Sequence, residues 1–203
     1  MAETSAPPRR DYSRATRRVV TTALVAGLMA TTAYWTWQQP FMAYPRTLWE
    51  IGRMPAPGQL PMPVPAVAAG QIADTWGAAR GGDRRHEGVD IFAPRGTPVV
   101  SATRGVVSAV RESGLGGKQV WVIGPGMERH YYAHLDDWAE GLADRQVLQA
   151  GATLGYVGDS GNARGTPPHL HYGIYGRQGA LDPLPRLRAG SPEAALSRPV
   201  GSD

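Results

Sequence analysis

The pattern of hydrophobic and polar positions divides the chain into segments of different composition. Residues 19–37 carry no charged side chain, and as a helix they would span roughly 28 Å, about one hydrocarbon core. Residues 38–65 contain a run of closely spaced prolines. From residue 66 to 182, short segments rich in β-branched and aromatic residues are bounded by glycine or proline, which is typical of strands and turns.

The strand pattern predicts an all-β fold, with a single antiparallel β-sheet domain over residues 66–182 preceded by a transmembrane helix and a Pro-rich linker. A short helix is predicted only near residues 136–143. The predicted strands cover residues 97–102, 105–110, 119–123, 130–134 and 169–175.

The N-terminal region has the features of an exported protein. Residues 1–18 form a basic arm that contains five arginines, and basic residues before an apolar segment predict that this end stays in the cytoplasm. We therefore predict a transmembrane signal anchor at residues 19–37, with a cleaved signal peptide ending near Ala33 as the alternative. Either alternative places the rest of the chain outside the cytoplasm.

The segments on either side of the predicted sheet domain are interpreted as a linker and a tail. Prolines between Pro55 and Pro65 disfavour a helix in residues 38–65. An extended chain of that length would reach at most roughly 90 Å, so it could act as a stalk; a loose linker without a distance role is the alternative. Residues 183–203 are polar and aperiodic and are predicted to be a C-terminal tail.

Composition and charge exclude several classes of protein. The chain has 203 residues and no cysteine, which rules out disulfides, thiolate zinc sites and a cysteine nucleophile. Its net charge is +4, of which the basic arm supplies +3, so the remaining residues carry only +1. A nucleic-acid partner is therefore not expected, since a nucleic-acid binder concentrates lysine and arginine on its folded domain.

All five histidines fall inside the predicted β domain. His86 and Asp90 are four residues apart, and His169 and His171 are two apart on one face of a predicted strand. Two imidazoles and one carboxylate are a ligand set of catalytic zinc, which leaves one position open for water. The histidines therefore favour a metal site.

Two other catalytic motifs are excluded. The segment His86-Glu87-Gly88-Val89-Asp90 lacks the second histidine of the helical His-Glu-x-x-His motif, and its glycine disfavours a helix. The Gly158-Asp159-Ser160-Gly161 segment is similar to the nucleophile loop of trypsin-like proteases, but that triad needs a histidine well upstream and His134 is only 26 residues before Ser160. A glycine-rich turn explains the segment better.

Four blocks of the sequence resemble the lysostaphin/LytM-type zinc endopeptidases of peptidoglycan. They occur in the order of that family and cover nearly all of residues 66–182. The blocks are His86-x-Gly88-x-Asp90-Ile91-x-Ala93-Pro94, Tyr132-Ala133-His134-Leu135, Gly151-x-x-Leu154-Gly155-x-Val157-Gly158-x-Ser160-Gly161 and His169-Leu170-His171.

The resemblance implies a role for each matching residue. His86, Asp90 and His171 would bind one zinc ion, while His134 and His169 would be catalytic histidines outside the ligand set. It also implies a twisted antiparallel sheet with the zinc at the floor of a narrow groove. Which of His134 and His169 acts as the base remains open.

Other candidate residues receive lesser roles. His130 matches no motif block and is interpreted as a core or surface residue. Arg80 is a candidate substrate contact. Trp121, Tyr131 and Trp138 are interpreted as core or groove wall.

The predicted function is zinc-dependent hydrolysis of peptide cross-links in bacterial peptidoglycan by a membrane-tethered or secreted periplasmic enzyme. The alternative is a non-catalytic LytM-like regulator that binds cell wall or activates a partner amidase. Degenerate relatives of that kind lose ligand residues, whereas this sequence retains His86, Asp90 and His171. A divisome or amidase partner is not specified by any motif.

Overall fold

The chain folds into two compact units that divide after Ala43. The structure, a computed structural model, describes residues 12–191. Most of the predicted basic arm (residues 1–11) and the end of the predicted tail (residues 192–203) lie outside the described residues.

The first unit is formed by a long apolar helix. This helix, α1, spans Tyr12–Gln38, and a short 3₁₀ helix follows at Pro40–Met42. Within Ser13–Gln38, an 18-residue window has a mean hydropathy of 1.3, so the helix is long and apolar enough to cross a membrane. An N-terminal signal sequence has the same properties. The helix contains the whole predicted anchor, residues 19–37, and begins within the predicted basic arm.

The second unit begins earlier than the sequence pattern indicates. Helix α2 spans Ala43–Arg53, and Leu60 and Val64 are buried in the core. The extended stalk predicted for residues 38–65 therefore differs from the structure. The prolines that disfavour a helix begin only at Pro55, while Pro45 lies in the first turn of α2, where proline is tolerated.

A nine-stranded sheet forms most of the second unit, and every pairing in it is antiparallel. The main path runs β1-β8-β5-β4-β3-β6, while β7 joins β2 to β5 and β9 pairs with β8. The strands are β1 (Val89–Phe92), β2 (Pro98–Val100), β3 (Gly105–Ser113), β4 (Gly117–Ile123), β5 (Arg129–Trp138), β6 (Val147–Leu148), β7 (Thr153–Val157), β8 (His169–Gly176) and β9 (Gly179–Leu181).

The predicted antiparallel β class is confirmed, and two local predictions are wrong. The helix expected near residues 136–143 overlaps the end of β5, which continues to Trp138. The predicted tail begins with helix α3, Leu184–Ala189, whose Leu184 and Leu187 are buried. A six-residue helix with two leucines is too short to show a period in the sequence.

One face of the sheet supplies the hydrophobic core, and the opposite face carries the polar site. On β8, the side chains of Leu170, Tyr172 and Ile174 are fully buried. His169 and His171 alternate with them and point to the opposite face, as expected for a strand. β8 lies between β1 and β5, so three strands contribute side chains to that face.

Candidate metal centre

The three predicted ligands converge on one point at the edge of the sheet. Nε2 of His86 lies 2.8 Å from Nδ1 of His171. Each of these nitrogens lies 3.1 Å from Oδ1 of Asp90. The donor atoms of the three residues all lie within 4.8 Å of one another, which is the spacing of groups that could hold one metal ion.

Strand pairing and a backbone hydrogen bond bring these groups together. Asp90 on β1 lies directly opposite His171 on β8. His86 precedes β1, and its Nδ1 lies 2.8 Å from the carbonyl oxygen of Thr75. A carbonyl can only accept, so Nδ1 carries the proton and the lone pair of Nε2 faces Asp90 and His171.

Gly88 permits the close approach of β1 and β8. A Cβ atom at this position would lie 2.6 Å from the carbonyl oxygen of Tyr172 and 2.7 Å from Cε1 of His171. Both distances are too short for a side chain. The glycine between His86 and Asp90 is therefore a packing requirement of the site.

The electrostatics of the cluster suit a cation. Burial alone would raise the pKa of Asp90, but the side-chain contacts with His171, His86 and the Arg80 guanidinium outweigh it and hold the pKa well below its usual range. Burial lowers the pKa of His171 despite the opposing charge of Asp90. An ionised carboxylate and neutral imidazoles are the protonation states that metal binding requires. This donor set fits zinc, which accepts nitrogen and oxygen ligands together.

Arg80 contacts the metal-binding cluster directly. Its Nη2 forms an ion pair with Oδ2 of Asp90. The same nitrogen lies 3.0 Å from Nδ1 of His86, but this is not a hydrogen bond, because Nδ1–H and the guanidinium are both donors. Asp90 thus uses Oδ2 for Arg80 while Oδ1 faces the histidines. The sequence assigned Arg80 only as a candidate substrate contact, and no motif indicated this pairing.

His134 and His169 lie beside the cluster. The ring centroid of His134 is 5.1 Å from that of His169 and 5.9 Å from that of His171. Nδ1 of His134 donates to the carbonyl oxygen of Ser160 at 2.9 Å, and Nδ1 of His169 donates to that of Pro167 at 2.8 Å. Nε2 of each ring is therefore the nitrogen left for proton transfer.

An unusual backbone conformation places His134 on this face. His134 has a φ of 63°, in the left-handed region that non-glycine residues seldom adopt. Its backbone N–H donates to the carbonyl oxygen of Gly116 at 2.9 Å. Burial is the main cause that lowers the pKa of His134 to about 4, so the ring is neutral at pH 7.

His130 occupies the opposite side of the sheet. It is fully buried, and its Nδ1 lies 2.7 Å from the hydroxyl oxygen of Tyr172. Within residues 12–191, its Nε2 has no hydrogen-bond partner. Burial and then the nearby charge of Arg186 lower its pKa to about 3. His130 therefore belongs to the core, in agreement with its lack of a motif.

The cluster lies in a cleft of about 970 Å³. His86, Asp90, His134 and His171 line one part of it, and the basic turn at residues 80–85 lines another. Tyr131 lines the cleft as predicted and stacks on Trp121, whereas Trp138 lies under Lys118. The candidate metal ligands and His134 therefore share one cleft with the basic turn.

Several supporting groups were not found from the sequence. Thr75, Gly116, Ser160 and Pro167 act through backbone carbonyls, which every residue type carries. Nothing in the sequence distinguishes these positions from other loop residues.

Comparisons with known proteins agree with this geometry. Residues 84–183 match the model of peptidase family M23. The L-Ala–D-Glu endopeptidase of Bacillus subtilis (strain 168) is 40% identical over 143 residues, which are 65% of this chain and 44% of that relative. The chain therefore spans less than half the length of this curated relative.

Solved structures show the same fold. A "putative glycyl-glycine endopeptidase lytM" from Ruminococcus gnavus is 34% identical, with a TM-score of 0.54 over 80% of this chain and 71% of that one. The catalytic domain of lysostaphin from Staphylococcus simulans is 29% identical, with a TM-score of 0.52 over 58% of this chain and 92% of that one. The predicted resemblance is thereby confirmed, and the chain belongs to peptidase family M23.

Proposed function

We propose that this chain is a zinc-dependent endopeptidase that hydrolyses peptide cross-links of bacterial peptidoglycan. The observation that carries the proposal is the convergence of His86, Asp90 and His171, with two further histidines beside them in one cleft. Peptidases of family M23 are zinc-dependent. Relatives of this chain are named as endopeptidases, such as the L-Ala–D-Glu endopeptidase of Bacillus subtilis and the peptidoglycan DD-endopeptidase ShyC of Vibrio cholerae.

His86, Asp90 and His171 would hold the zinc ion through Nε2, Oδ1 and Nδ1. Bound zinc lowers the pKa of a water molecule and polarises the scissile carbonyl. The ligands supply one negative charge from Asp90, whose ionised form is stabilised by the guanidinium of Arg80. Arg80 holds the second oxygen of Asp90 and fixes the orientation of the carboxylate.

His134 and His169 would carry the protons of the reaction. Each ring donates from Nδ1 to a backbone carbonyl, which fixes the tautomer and leaves a lone pair on Nε2. Such a nitrogen accepts a proton from the attacking water and returns it to the leaving amine. The protonated ring is also a donor for the oxyanion that forms on the scissile carbonyl.

The long apolar helix α1 supports an extracytoplasmic location for the enzyme. A helix of this length and composition fits either a membrane anchor or a signal sequence. In both cases the second unit would be delivered to the periplasmic side, where the peptidoglycan lies.

The retained residues favour an enzyme over a non-catalytic regulator. All three ligand groups and both additional histidines are present and lie together. A regulator that only binds a partner would not require two histidines with fixed tautomers next to a metal site.

The proposal is tested by incubating purified peptidoglycan with the full chain in detergent, with and without a zinc chelator. Mass spectrometry of the muropeptides then reports the cross-linked dimers. We expect loss of dimers that the chelator prevents and added zinc restores. Dimers that stay intact when zinc is shown to be bound would contradict the proposal.

A further inference from the structure

A second surface begins in the cleft beside the metal-binding cluster and continues outside it. We call it the aromatic shelf and define it as Trp121, Tyr131, Tyr175 and Arg129. The ring of Tyr131 lies 5.7 Å from that of His171, and the ring of Trp121 stacks on Tyr131 at 4.2 Å. Tyr175 lies 5.4 Å from Trp121. The shelf therefore begins at the metal-binding cluster and leads away from it.

Strand register places these side chains next to one another. Trp121 on β4 pairs with Tyr131 on β5, and Arg129 on β5 pairs with Tyr175 on β8. Tyr131 and Tyr175 also line the cleft that contains His171. Paired residues on adjacent antiparallel strands point to the same face. The shelf therefore lies on one face of the sheet, and Tyr131 and Tyr175 connect it to the cleft.

Gly173 permits close packing between the metal-binding cluster and the shelf. It lies between His171 and Tyr175 on β8 and pairs with Tyr131. A Cβ atom here would lie 2.9 Å from the carbonyl oxygen of Glu87 and 3.2 Å from the ring of Tyr175. A side chain at this position would therefore displace the ring of Tyr175 from the shelf.

Arg129 gives the shelf a positive charge. Its guanidinium carbon lies 5.6 Å from the centre of the Trp121 ring and 6.0 Å from that of Tyr175. Its side chain is exposed, and within residues 12–191 no carboxylate forms an ion pair with it. By contrast, Arg186 pairs with Glu128 at 2.6 Å, and Arg104 pairs with Glu50 at 2.8 Å.

The dimensions of the shelf fit a short stretch of peptide. An extended chain advances about 3.3 Å per residue. The ring spacings of 5.7 Å and 4.2 Å from His171 through Tyr131 to Trp121 therefore correspond to roughly two or three residues beyond the bond at the metal-binding cluster.

We propose that the aromatic shelf is a subsite that binds a carboxylate-bearing residue of the substrate peptide, two or three residues from the scissile bond. This inference rests on the proposed function, since it places the peptide along the same cleft. The rings pack against the aliphatic part of that residue, and they hold the planar guanidinium of Arg129. The guanidinium then donates two hydrogen bonds to the carboxylate.

The test uses two forms of the same muropeptide dimers. In one form the carboxyl groups are free, and in the other they have been converted to amides. Binding to the full chain is measured by tryptophan fluorescence in the presence of a chelator, so that cleavage does not interfere. Cleavage rates are measured separately with zinc. The variants are Arg129→Gln and, as a matched control, Arg188→Gln, an exposed arginine on α3 outside the residues that line the cleft.

We expect wild type and the Arg188→Gln variant to bind the free-carboxyl dimers about 10-fold more tightly than the amidated dimers, as a charged hydrogen bond would give. Arg129→Gln should remove this difference and raise KM about 10-fold without a matching fall in kcat. Equal binding of both dimers by wild type would overturn the subsite. A dependence on the disaccharide instead of the carboxyl groups would overturn it in favour of a sugar-binding surface.

The two proposals fail in different ways. Cleavage by wild type with no effect of Arg129→Gln or amidation would remove the subsite and leave the endopeptidase. A second outcome would refute the endopeptidase and support the subsite. In that case wild type does not cleave the dimers but binds them selectively through their carboxyl groups, and Arg129→Gln abolishes this binding. Thermal unfolding of both variants checks that each is folded.

Discussion

Two histidines on the same strand, β5, lie in opposite surroundings. His130 is fully buried in the core against Tyr172, whereas His134 is 8% exposed and lies beside the rings of His169 and His171. Burial is the main cause that lowers both pKa values, to about 3 and about 4. A lowered pKa therefore does not distinguish the histidine beside the metal-binding cluster from the histidine in the core. The side chains around each ring make this distinction.

A break in the strand explains the difference. Side chains alternate along a strand, so His134 would share the core face with His130 and Tyr132. The left-handed φ of His134 interrupts this alternation, and the register of β4 and β5 shifts at the same place. Leu135 then takes the buried position, and His134 is directed to the groove.

The largest expected effect comes from removing a metal ligand. His171→Ala deletes one of the three donor atoms of the cluster, so we expect zinc to be lost and cleavage to fall to background. Metal analysis of the purified variant, together with the muropeptide assay, checks this. Full zinc occupancy in His171→Ala would show that the ligands lie elsewhere.

Replacing His134 should separate metal binding from catalysis. His134→Ala is expected to retain zinc and to lose about 10²- to 10⁴-fold in kcat, the contribution of a general acid or base. His130→Gln, the matched change on the core face of the same strand, should keep kcat close to wild type. Similar losses of kcat in both folded variants would refute the division of β5 into a core histidine and a groove histidine.

The core histidine should instead control stability at low pH. Unfolded His130 binds a proton below its ordinary pKa of 6.5, whereas the folded residue does so only near 3. The folded state is thus stabilised fully above pH 6.5 and loses stability as the pH falls towards 3. Relative to His130→Gln, the wild-type free energy of unfolding should decrease by about 2 to 3 kcal/mol between pH 6 and pH 4.

Denaturant unfolding of both proteins at several pH values measures this difference. His130→Gln serves as the non-titrating reference, so contributions from the other histidines cancel. A constant difference in the free energy of unfolding across this range would mean that His130 titrates normally in the fold.

The smallest effect is expected for Arg80, which acts on the metal-binding cluster through Asp90. Arg80→Gln removes the ion pair to Oδ2, so zinc affinity should fall about 10- to 100-fold, as for other residues that orient a ligand. Competition with a chelator of known affinity measures the change. Arg84→Gln, on the same turn, is the control and should leave zinc affinity unchanged.

Much of the sheet and of the metal-binding cluster could be predicted from the sequence, because short sequence patterns indicate these features. The spacing of His86 and Asp90 and the His169-Leu170-His171 segment marked residues that the structure brings together. Short runs of β-branched residues marked the central strands. These signals need no knowledge of distant contacts.

The missed features all depend on contacts that the sequence does not display. Helix α3 is stabilised by packing, with the backbone of Arg186 bonded to Leu60 at 3.0 Å. The change of face at His134 depends on its left-handed φ angle. Histidine adopts this conformation only in particular surroundings, so the residue type does not predict it. Trp121 and Arg129 could be recognised as parts of one surface only after the pairing of β4, β5 and β8 was established.

The central claim is that one zinc ion, held by His86, Asp90 and His171, makes this chain a peptidase. The most direct measurement is a titration of the chelator-stripped full chain with zinc, in which cleavage of muropeptide dimers is recorded at each addition. We expect activity to rise in proportion to zinc and to level off at about one equivalent per chain. Full activity before zinc is added, or no activity once one equivalent is bound, would contradict the account.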